Sequence, residues 1–293
     1  MAIEERDPQS GYMTTGHEWN GIKELNTPVP RLVYFFLIVA ITFSVIYWIL
    51  MPAWPIGTTY TKGLLGIDQR KAVAATLKQA ALDQSVWTQR IAKESFQQIQ
   101  TDQALMQIVR ETGHRLFGDN CAPCHGSDAR GRYGFPNLTT ESWLWGGSPE
   151  TLSETIRVGI NSANPDSRVS QMPAFGRDKI LSREDIDKVV NYVRTLSDPA
   201  ASKEISSDQI QAGKKLFVTN CASCHGDDGR GKTDAGAPNL TDKFWIYGGD
   251  PQSIFTTVWS GRQGHMPTWQ SRLSPLDRKI LALYLFERRS PSQ

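Results

Sequence analysis

The sequence is poor in cysteine and histidine and has almost no excess of charge. Its 293 residues include four cysteines and five histidines, and 32 basic residues stand against 30 acidic ones, a formal net charge of +2. Proteins that bind nucleic acid carry clustered positive charge, so this balance argues against nucleic acid as a partner. The length suits roughly two domains of 100 to 200 residues and an additional segment.

Long apolar runs are also absent, with one exception near the N-terminus. The run "LVYFFLIVAITFSVIYWILM", from Leu32 to Met51, has no charged residue and is long enough to cross a hydrocarbon core of ~30 Å as a helix. A cleaved signal peptide would have a shorter apolar core and a small-residue cleavage site, whereas Pro52, Trp54 and Pro55 follow here. We therefore predict one retained transmembrane helix within residues 31–55, in contact with membrane lipid.

A second helix is predicted after the apolar run. Residues 67–92 contain no proline or glycine and are rich in Ala, Gln, Lys and Leu, which favours helix. This stretch belongs to a predicted helical spacer, residues 56–100. The sequence leaves open whether its apolar residues pack on a partner or lie on a solvated helix.

All four cysteines lie in two similar stretches, "GHRLFGDNCAPCHG" from Gly113 and "GKKLFVTNCASCHG" from Gly213. The similarity continues in the same order through "PNLT", a tryptophan followed by Gly-Gly, a Met-Pro pair and an apolar final segment, as in an internal repeat. We predict two domains of one kind, residues 101–198 and 206–293, joined by a short polar linker.

Each repeat has the pattern of a helix, the cysteine motif, a long loop, a short helix, a methionine loop and a final helix. Thr101 and Asp208 are the predicted N-caps of the first helices. The final stretches, from Leu181 and Leu273, place apolar residues at helical spacing. The loops are rich in Gly, Pro and Asn, so they leave little apolar core, and we expect a non-protein group at the centre of each domain.

Cys-x-x-Cys-His is the attachment signature of c-type haem, because the two thiols bond the vinyl groups of one porphyrin while the adjacent histidine reaches the iron. Disulfides would not require the histidine, a structural zinc site would need four ligands, and a thioredoxin-like pair would need a βαβ setting. The sequence therefore predicts two covalently bound haem c groups. The attachment residues are Cys121, Cys124, Cys221 and Cys224, and the proximal iron ligands are His125 and His225.

The second axial ligand of each iron is predicted to be a methionine followed by proline. Met172 lies 47 residues after His125, and Met266 lies 41 residues after His225. A Met-Pro pair restrains the backbone toward an extended form, which suits a thioether held at one point. The alternatives are a methionine that only fills a core gap and, for the second iron, His265. The six-residue difference between the two spacings predicts unequal reduction potentials.

Histidine and methionine together occupy both axial positions, so no iron site remains for oxygen or peroxide, and each domain is predicted to carry single electrons. We predict an all-α fold, with one N-terminal transmembrane helix followed by two tandem class I cytochrome c domains. His17 precedes the membrane span and is not a haem ligand candidate, and His114 is assigned to the surface or the propionate side.

Other side chains are candidates for contacts with the porphyrins. Packing or propionate contacts are predicted for Trp143, Trp145, Trp245 and Tyr247. Backbone carbonyls that would hold the proximal imidazoles are those of Pro136 and Pro238. The arginines that either neutralise propionates or are solvated loop residues are Arg130, Arg132 and Arg230.

Basic residues flank both ends of the apolar run, so charge alone does not orient it. Covalent haem is attached on the outer face of the bacterial cytoplasmic membrane. We therefore expect residues after about 56 in the periplasm and residues 1–30 in the cytoplasm.

With these features the chain resembles the dihaem subunit III, the CcoP or FixP family, of cbb3-type cytochrome c oxidase. The most specific segments are "HEWNGIKELNTPVPR" before the span, "YWILMPAWP" at its exit and "YTKGLLGIDQR" after it. Matching the ligands in sequence order, the resemblance implies one haem held by Cys121, Cys124, His125 and Met172. The other haem would be held by Cys221, Cys224, His225 and Met266.

The resemblance also implies partners. Electrons would come from a c-type cytochrome and pass to a monohaem subunit and a haem-copper subunit, where oxygen is reduced and protons are pumped. The chain itself would be a non-catalytic electron-transfer subunit. The rival hypotheses are a free-standing membrane-anchored dihaem cytochrome that serves another reductase, a dihaem peroxidase with an open iron, and a haem-based gas sensor.

Overall fold

The computed structural model describes residues 5–289 and divides the chain into two compact units, Met1–Asp83 and Gln84–Gln293. The division falls inside a helix of 25 residues, α2 (Gln69–Lys93). The predominantly helical architecture predicted from the sequence is confirmed, with one apolar N-terminal helix among the described residues.

The first unit contains the apolar helix between two short hairpins. Strands β1 (Thr14–Trp19) and β2 (Ile22–Leu25) pair antiparallel, and so do β3 (Pro55–Ile56) and β4 (Thr59–Tyr60). The helix α1 (Arg31–Leu50) has a mean hydropathy of 2.4 in its most apolar window and buries no residue within the protein. Two hydroxyl side chains in its middle, Thr42 and Ser44, donate hydrogen bonds of 2.8 Å to the carbonyls four residues earlier. Such internal pairing suits a hydrocarbon environment, where water is absent.

The second unit begins with the end of α2 and continues through helices named here in chain order. The first group is α3 (Phe96–Thr101), α4 (Gln103–Asn120), α5 (Ala122–His125), α6 (Pro149–Val158) and α7 (Arg183–Ser197). The second group is α8 (Ala201–Glu204), α9 (Ser207–Asn220), α10 (Ala222–His225), α11 (Pro251–Ser260) and α12 (Pro275–Arg288).

The helix caps differ by a few residues from those expected. Thr101 is the last residue of α3, and Asp102 caps α4 by accepting hydrogen bonds from the backbone N–H groups of Ala104 and Leu105. Ser206, and not Asp208, caps α9. Asp and Ser are comparable N-caps, so neighbouring candidates could not be ranked from sequence alone.

The two hydrophobic cores each combine elements from both sequence repeats. The first core joins α4 and α6 of the first repeat with α12 of the second, and the second core joins α9 and α11 of the second repeat with α7 of the first. We call these assemblies the first lobe and the second lobe. The repeats have therefore exchanged their C-terminal segments within one chain.

The same helix contact closes both lobes. Gly113 of α4 lies against Tyr284 of α12, where a Cβ atom added to the glycine would be 2.6 Å from the tyrosine Cβ. Gly213 of α9 lies in the same way against Tyr192 of α7, at 2.8 Å. Only a residue without a side chain permits helices to approach so closely. Both lobes therefore contain the same Gly–Tyr contact, and in each lobe the glycine comes from one repeat and the tyrosine from the other.

The end of the spacer is part of the first lobe. Ile91 of α2 and Ile99 of α3 are both 0% exposed and belong to the first core. Lys279 of α12 donates a hydrogen bond to the carbonyl of Glu94 and lies over the ring of Phe96. The C-terminal end of α2 therefore packs in the first lobe.

Candidate haem sites

Each cysteine motif forms a single helical turn at the end of a longer helix. Helix α4 ends before Cys121, whose carbonyl accepts hydrogen bonds from the N–H groups of Cys124 at 3.1 Å and His125 at 3.0 Å. The second motif repeats this geometry, at 3.1 and 2.9 Å from Cys221. The turn brings two thiols and one imidazole to one short segment, as thioether attachment and iron ligation require.

Both histidines are held by a proline carbonyl, as the sequence predicted. The Nδ1 atom of His125 lies 3.2 Å from the carbonyl oxygen of Pro136, and that of His225 lies 3.1 Å from the carbonyl of Pro238. A carbonyl only accepts, so Nδ1 carries the proton and Nε2 has a free lone pair. Burial lowers the pKa of both histidines, which favours the neutral imidazole that binds iron.

The thiols differ in exposure within each motif. Cys121 is half-buried and Cys221 is buried, whereas Cys124 and Cys224 are exposed. Burial raises the pKa of Cys121 and of Cys221 to about 11, with a smaller contribution from the neighbouring cysteine in each motif. One edge of each motif therefore lies inside the protein and the other reaches solvent.

The two Met-Pro segments lie in the lobe opposite to the one expected. The backbone of Met172 pairs with Arg262, N–H to carbonyl at 2.8 and 3.1 Å, and that of Met266 pairs with Ile160 at 2.9 Å in both directions. Ile160 and Arg262 hold equivalent positions, each directly after the glycine that follows the short helix of its repeat. The exchange is therefore reciprocal.

The packing of the two methionines differs from the order of the sequence. Met172 packs on the second core together with Cys221, and Met266 packs on the first core together with Cys121. Met172 therefore does not lie in the lobe of the first cysteine motif, nor Met266 in that of the second, as the pairing read from sequence order would require. Sequence order assumes that each repeat folds on itself, whereas here the chain crosses between lobes before each methionine.

Two glycines make the crossing possible. Gly159 and Gly261 have positive φ angles of 73° and 70°, and a Cβ atom on either would collide with the carbonyl of the methionine from the other repeat. Glycine adopts this conformation without the steric cost that other residues incur. Each glycine therefore leaves room for the backbone of a methionine from the other repeat, roughly one hundred residues away in the chain.

Both motifs and both methionines line one continuous cavity with a mostly apolar wall. Trp145, Trp245 and Tyr247 also line it, while Trp143 packs on the first core with its indole N–H buried and unpartnered among the described residues. Each motif places two free thiols and an Nε2 lone pair on the wall of this apolar space, and these groups fit a covalently attached haem at each motif. The buried indole N–H is a donor that a propionate oxygen would satisfy.

The three arginines that were candidates for propionate contacts do not line the cavity. Arg130 and Arg230 are more than 70% exposed and lie 3.8 and 3.5 Å from Asp128 and Asp228. Arg132 donates to the carbonyl of Pro123. Sequence reasoning missed Arg262, which does line the cavity, because the equivalent residue of the first repeat is Ile160 and the repeat gives no signal there.

The remaining histidines have other partners. His265 is exposed, and its Nδ1 lies 3.0 Å from the carbonyl of Asn161, although it also borders the cavity. His114 lies 3.3 Å from the hydroxyl of Tyr284 on the surface of the first lobe. His17 lies in β1, 3.5 Å from Glu24.

Comparison with known proteins assigns three segments of the chain to families. Residues 110–197 match the family model Cytochrome c, and residues 208–285 match cytochrome C oxidase, cbb3-type, subunit III. The fold and the two sites thus define a protein with tandem cytochrome c domains behind one apolar helix. Residues 11–58 match the N-terminal domain of cytochrome oxidase-cbb3, FixP.

Full-length relatives identify the family. The cbb3-type cytochrome c oxidase subunit FixP of Bradyrhizobium sp. is 43% identical over 281 residues, which cover 96% of each chain. Subunit CcoP of Azospirillum sp. is 41% identical, over 97% of this chain and 98% of its own, and CcoP of Cereibacter sphaeroides is 39% identical over 93% of each. The chain belongs to the FixP/CcoP family of cbb3-type oxidase subunits, and the resemblance seen in the sequence is confirmed.

Proposed function

We propose that this chain relays single electrons through two covalently bound haem c groups, one in each lobe. The first haem is attached at Cys121 and Cys124, with His125 and Met266 as its axial ligands. The second is attached at Cys221 and Cys224, with His225 and Met172. The observation that carries this assignment is the reciprocal backbone pairing of the methionine segments across the two lobes.

When bound, the haem groups supply reversible one-electron chemistry, and the residues of the chain determine their surroundings. The carbonyls of Pro136 and Pro238 hold the proximal imidazoles in one orientation, and such contacts keep the ligand basic. The paired backbone of each methionine holds its thioether in place. A histidine and a methionine on each iron would leave no site for oxygen, so the chain would transfer electrons and leave oxygen reduction to other subunits.

The partners follow from the relatives, which are named as subunits of cbb3-type oxidases. Electrons enter from a c-type cytochrome and leave to a monohaem c subunit and then to the haem-copper subunit of the complex. Helix α1 anchors the chain in the inner membrane and contacts lipid. Residues 1–30 lie in the cytoplasm and both lobes lie in the periplasm, where haem is attached.

The proposed function is tested on the purified complex. Mass spectrometry of this chain should find one haem on each cysteine motif. The reduced-minus-oxidised spectrum of the complex should give three haem c, two from this chain and one from the monohaem subunit, together with a co-purifying haem-copper subunit. Unmodified thiols, bound zinc, or carbon monoxide binding at a haem c of this chain would refute it. Co-purification with another reductase would favour a free-standing dihaem cytochrome.

The ligand pairing is tested by removing one haem at a time. In the Cys221→Ala/Cys224→Ala chain, the remaining haem belongs to His125, and its ferric sulfur-to-iron charge-transfer band should vanish with Met266→Leu but persist with Met172→Leu. The Cys121→Ala/Cys124→Ala chain should give the opposite result. Loss of the band with the methionine of the same repeat would establish pairing in sequence order.

A second test keeps both haems in place. A photoreactive benzophenone amino acid at position 114, on α4, should cross-link to α12, where Tyr284 lies. The matched position 214, on α9, should cross-link to α7. Cross-links from 114 to α7 and from 214 to α12 would show that each repeat folds on itself.

A further inference from the structure

Arg262 is a half-buried cation in the wall of the shared cavity. Its backbone pairs with Met172, and its guanidinium carbon lies 4.2 Å from the centre of the Tyr247 ring. Its Nε and Nη2 atoms both donate to the hydroxyl of Thr257, at 3.1 and 2.9 Å. The side chain is thus fixed by an aromatic face and a hydroxyl, both from the second repeat.

No carboxylate neutralises this charge within residues 5–289. The side chain of Arg262 has hydrogen bonds only to Thr257 in the described part of the chain, and it forms no ion pair there. Arg157, in contrast, contacts Glu154 at 2.7 Å and Asp166 at 3.0 Å. A cation at the border of an apolar space interacts strongly with a nearby charge, because water screens it poorly there.

The first lobe contains a counterpart that differs in two respects. Arg168 lies over Trp145 at 5.1 Å and donates to Thr155 at 2.9 Å, the same kind of support as that of Arg262. However, Arg168 does not border the cavity, and its charge, after the larger effects of Arg157, helps to lower the pKa of Glu154. Among the described residues, only the second lobe therefore presents an arginine without an acidic neighbour to the cavity.

We propose that Arg262 binds a carboxylate of the haem in the second lobe and raises the reduction potential of that haem. This inference rests on the proposed function. Arginine has five N–H donors in a planar fork that fits a carboxylate, and Thr257 uses only part of them. Reduction adds one negative charge to the haem, so a fixed positive charge favours the reduced form.

The test is an equilibrium redox titration of the full-length chain with both haems attached. Arg262→Gln should lower one of the two midpoint potentials and leave the other unchanged, and Arg262→Lys should restore part of the loss. Because the carboxylate then lacks its cation and takes up a proton more readily, the lowered potential should also acquire a stronger pH dependence. Arg230→Gln is the matched control, since Arg230 follows the same cysteine motif but is exposed and lies by Asp228.

Thr257→Val provides a second variant that leaves residue 262 intact. It removes the hydroxyl that fixes the guanidinium, so it should lower the same midpoint by a smaller amount. The inference is overturned if Arg262→Gln and Thr257→Val both give the same two midpoint potentials as the control Arg230→Gln, while both haems and both charge-transfer bands are present. The proposed function would stand in that case. A chain without haem would instead overturn the proposed function.

Discussion

The two lobes share one plan but differ in what surrounds it. Both combine the front of one repeat with the methionine segment and final helix of the other, and both close on a Gly–Tyr helix contact. The first lobe also contains Ile91 and Ile99 from the segment before the repeats, and the second lobe has no equivalent of this support among the described residues. Residues that recur at equivalent positions of both repeats thus build the exchanged packing. Residues without such an equivalent, such as Ile91 and Ile99, give each lobe its own surroundings.

The largest expected effect comes from disturbing the crossing. Gly159→Ala adds one methyl group that collides with the carbonyl of Met266, at a backbone conformation that itself costs about 1–3 kcal/mol for other residues. We expect loss of methionine ligation in the first lobe only, measured as loss of part of the sulfur-to-iron charge-transfer band. Combining it with Met266→Leu should add nothing, whereas combining it with Met172→Leu should remove the whole band.

The control is Gly118→Ala, the same chemical change in α4 at a position where nothing lies within 4 Å of the added Cβ atom. It should be neutral or stabilise the chain by about 0.5–1 kcal/mol, since alanine favours helix over glycine. Equal effects of the two substitutions would contradict the role assigned to Gly159.

A matched pair of core substitutions tests which helices pack together in each lobe. Ile280 of α12 and Ile186 of α7 are both 0% exposed, and replacing a buried isoleucine by alanine typically costs about 2–5 kcal/mol. Ile280→Ala should accelerate hydrogen exchange in α4, which precedes it by more than one repeat, and Ile186→Ala should accelerate exchange in α9. Hydrogen exchange is measured by mass spectrometry. If Ile280→Ala instead accelerates hydrogen exchange in α9, then α12 packs within its own repeat and the two repeats have not swapped their final helices.

The asymmetry between the lobes is tested at Ile99. Ile99→Ala also removes a fully buried side chain, so a similar loss of about 2–5 kcal/mol is expected, confined to the first lobe. Ile180→Ala, at a residue that is 51% exposed, should change stability by less than about 0.5 kcal/mol. Denaturant unfolding followed at each haem measures both, and equal weakening of the two lobes by Ile99→Ala would remove the proposed difference.

The smallest effects are expected at the caps of the exchanged helices. Ser182 caps α7 by accepting from the N–H of Asp185 at 3.1 Å, and Ser274 caps α12 by accepting from that of Asp277 at 3.1 Å. Substitution of either serine by alanine should cost about 0.5–2 kcal/mol. Ser182→Ala should weaken the second lobe and Ser274→Ala the first, as measured by thermal unfolding of each lobe.

Much of this architecture could be predicted because its determinants are local. The apolar run, the two cysteine motifs, the proline carbonyls at 136 and 238 and the Met-Pro pairs each carry their signal within a few residues. The exchange could not be predicted, since the residues that pair with Met172 and Met266 are equally compatible with either lobe when read in sequence. Arg262 was missed for a related reason, because its importance depends on the absence of an acidic neighbour in three dimensions.

The capping errors have a simpler origin. Asp102 and Ser206 lie within two residues of the predicted caps, and the competing side chains there have similar preferences, so tertiary packing decides the register of each helix start. The packing of Ile91 and Ile99 was likewise beyond the sequence, because the core that encloses them also contains residues of α12, far along the chain.

The position of α12 in the first lobe has a consequence for biogenesis. On the proposed topology, with both lobes in the periplasm, the first cysteine motif would leave the membrane well before α12, and the pocket around that motif would stay open while the second repeat crosses. Haem could then be joined to Cys121 and Cys124 without the enclosing helix in the way. Helix α12 would then pack on the first lobe only after haem is attached there.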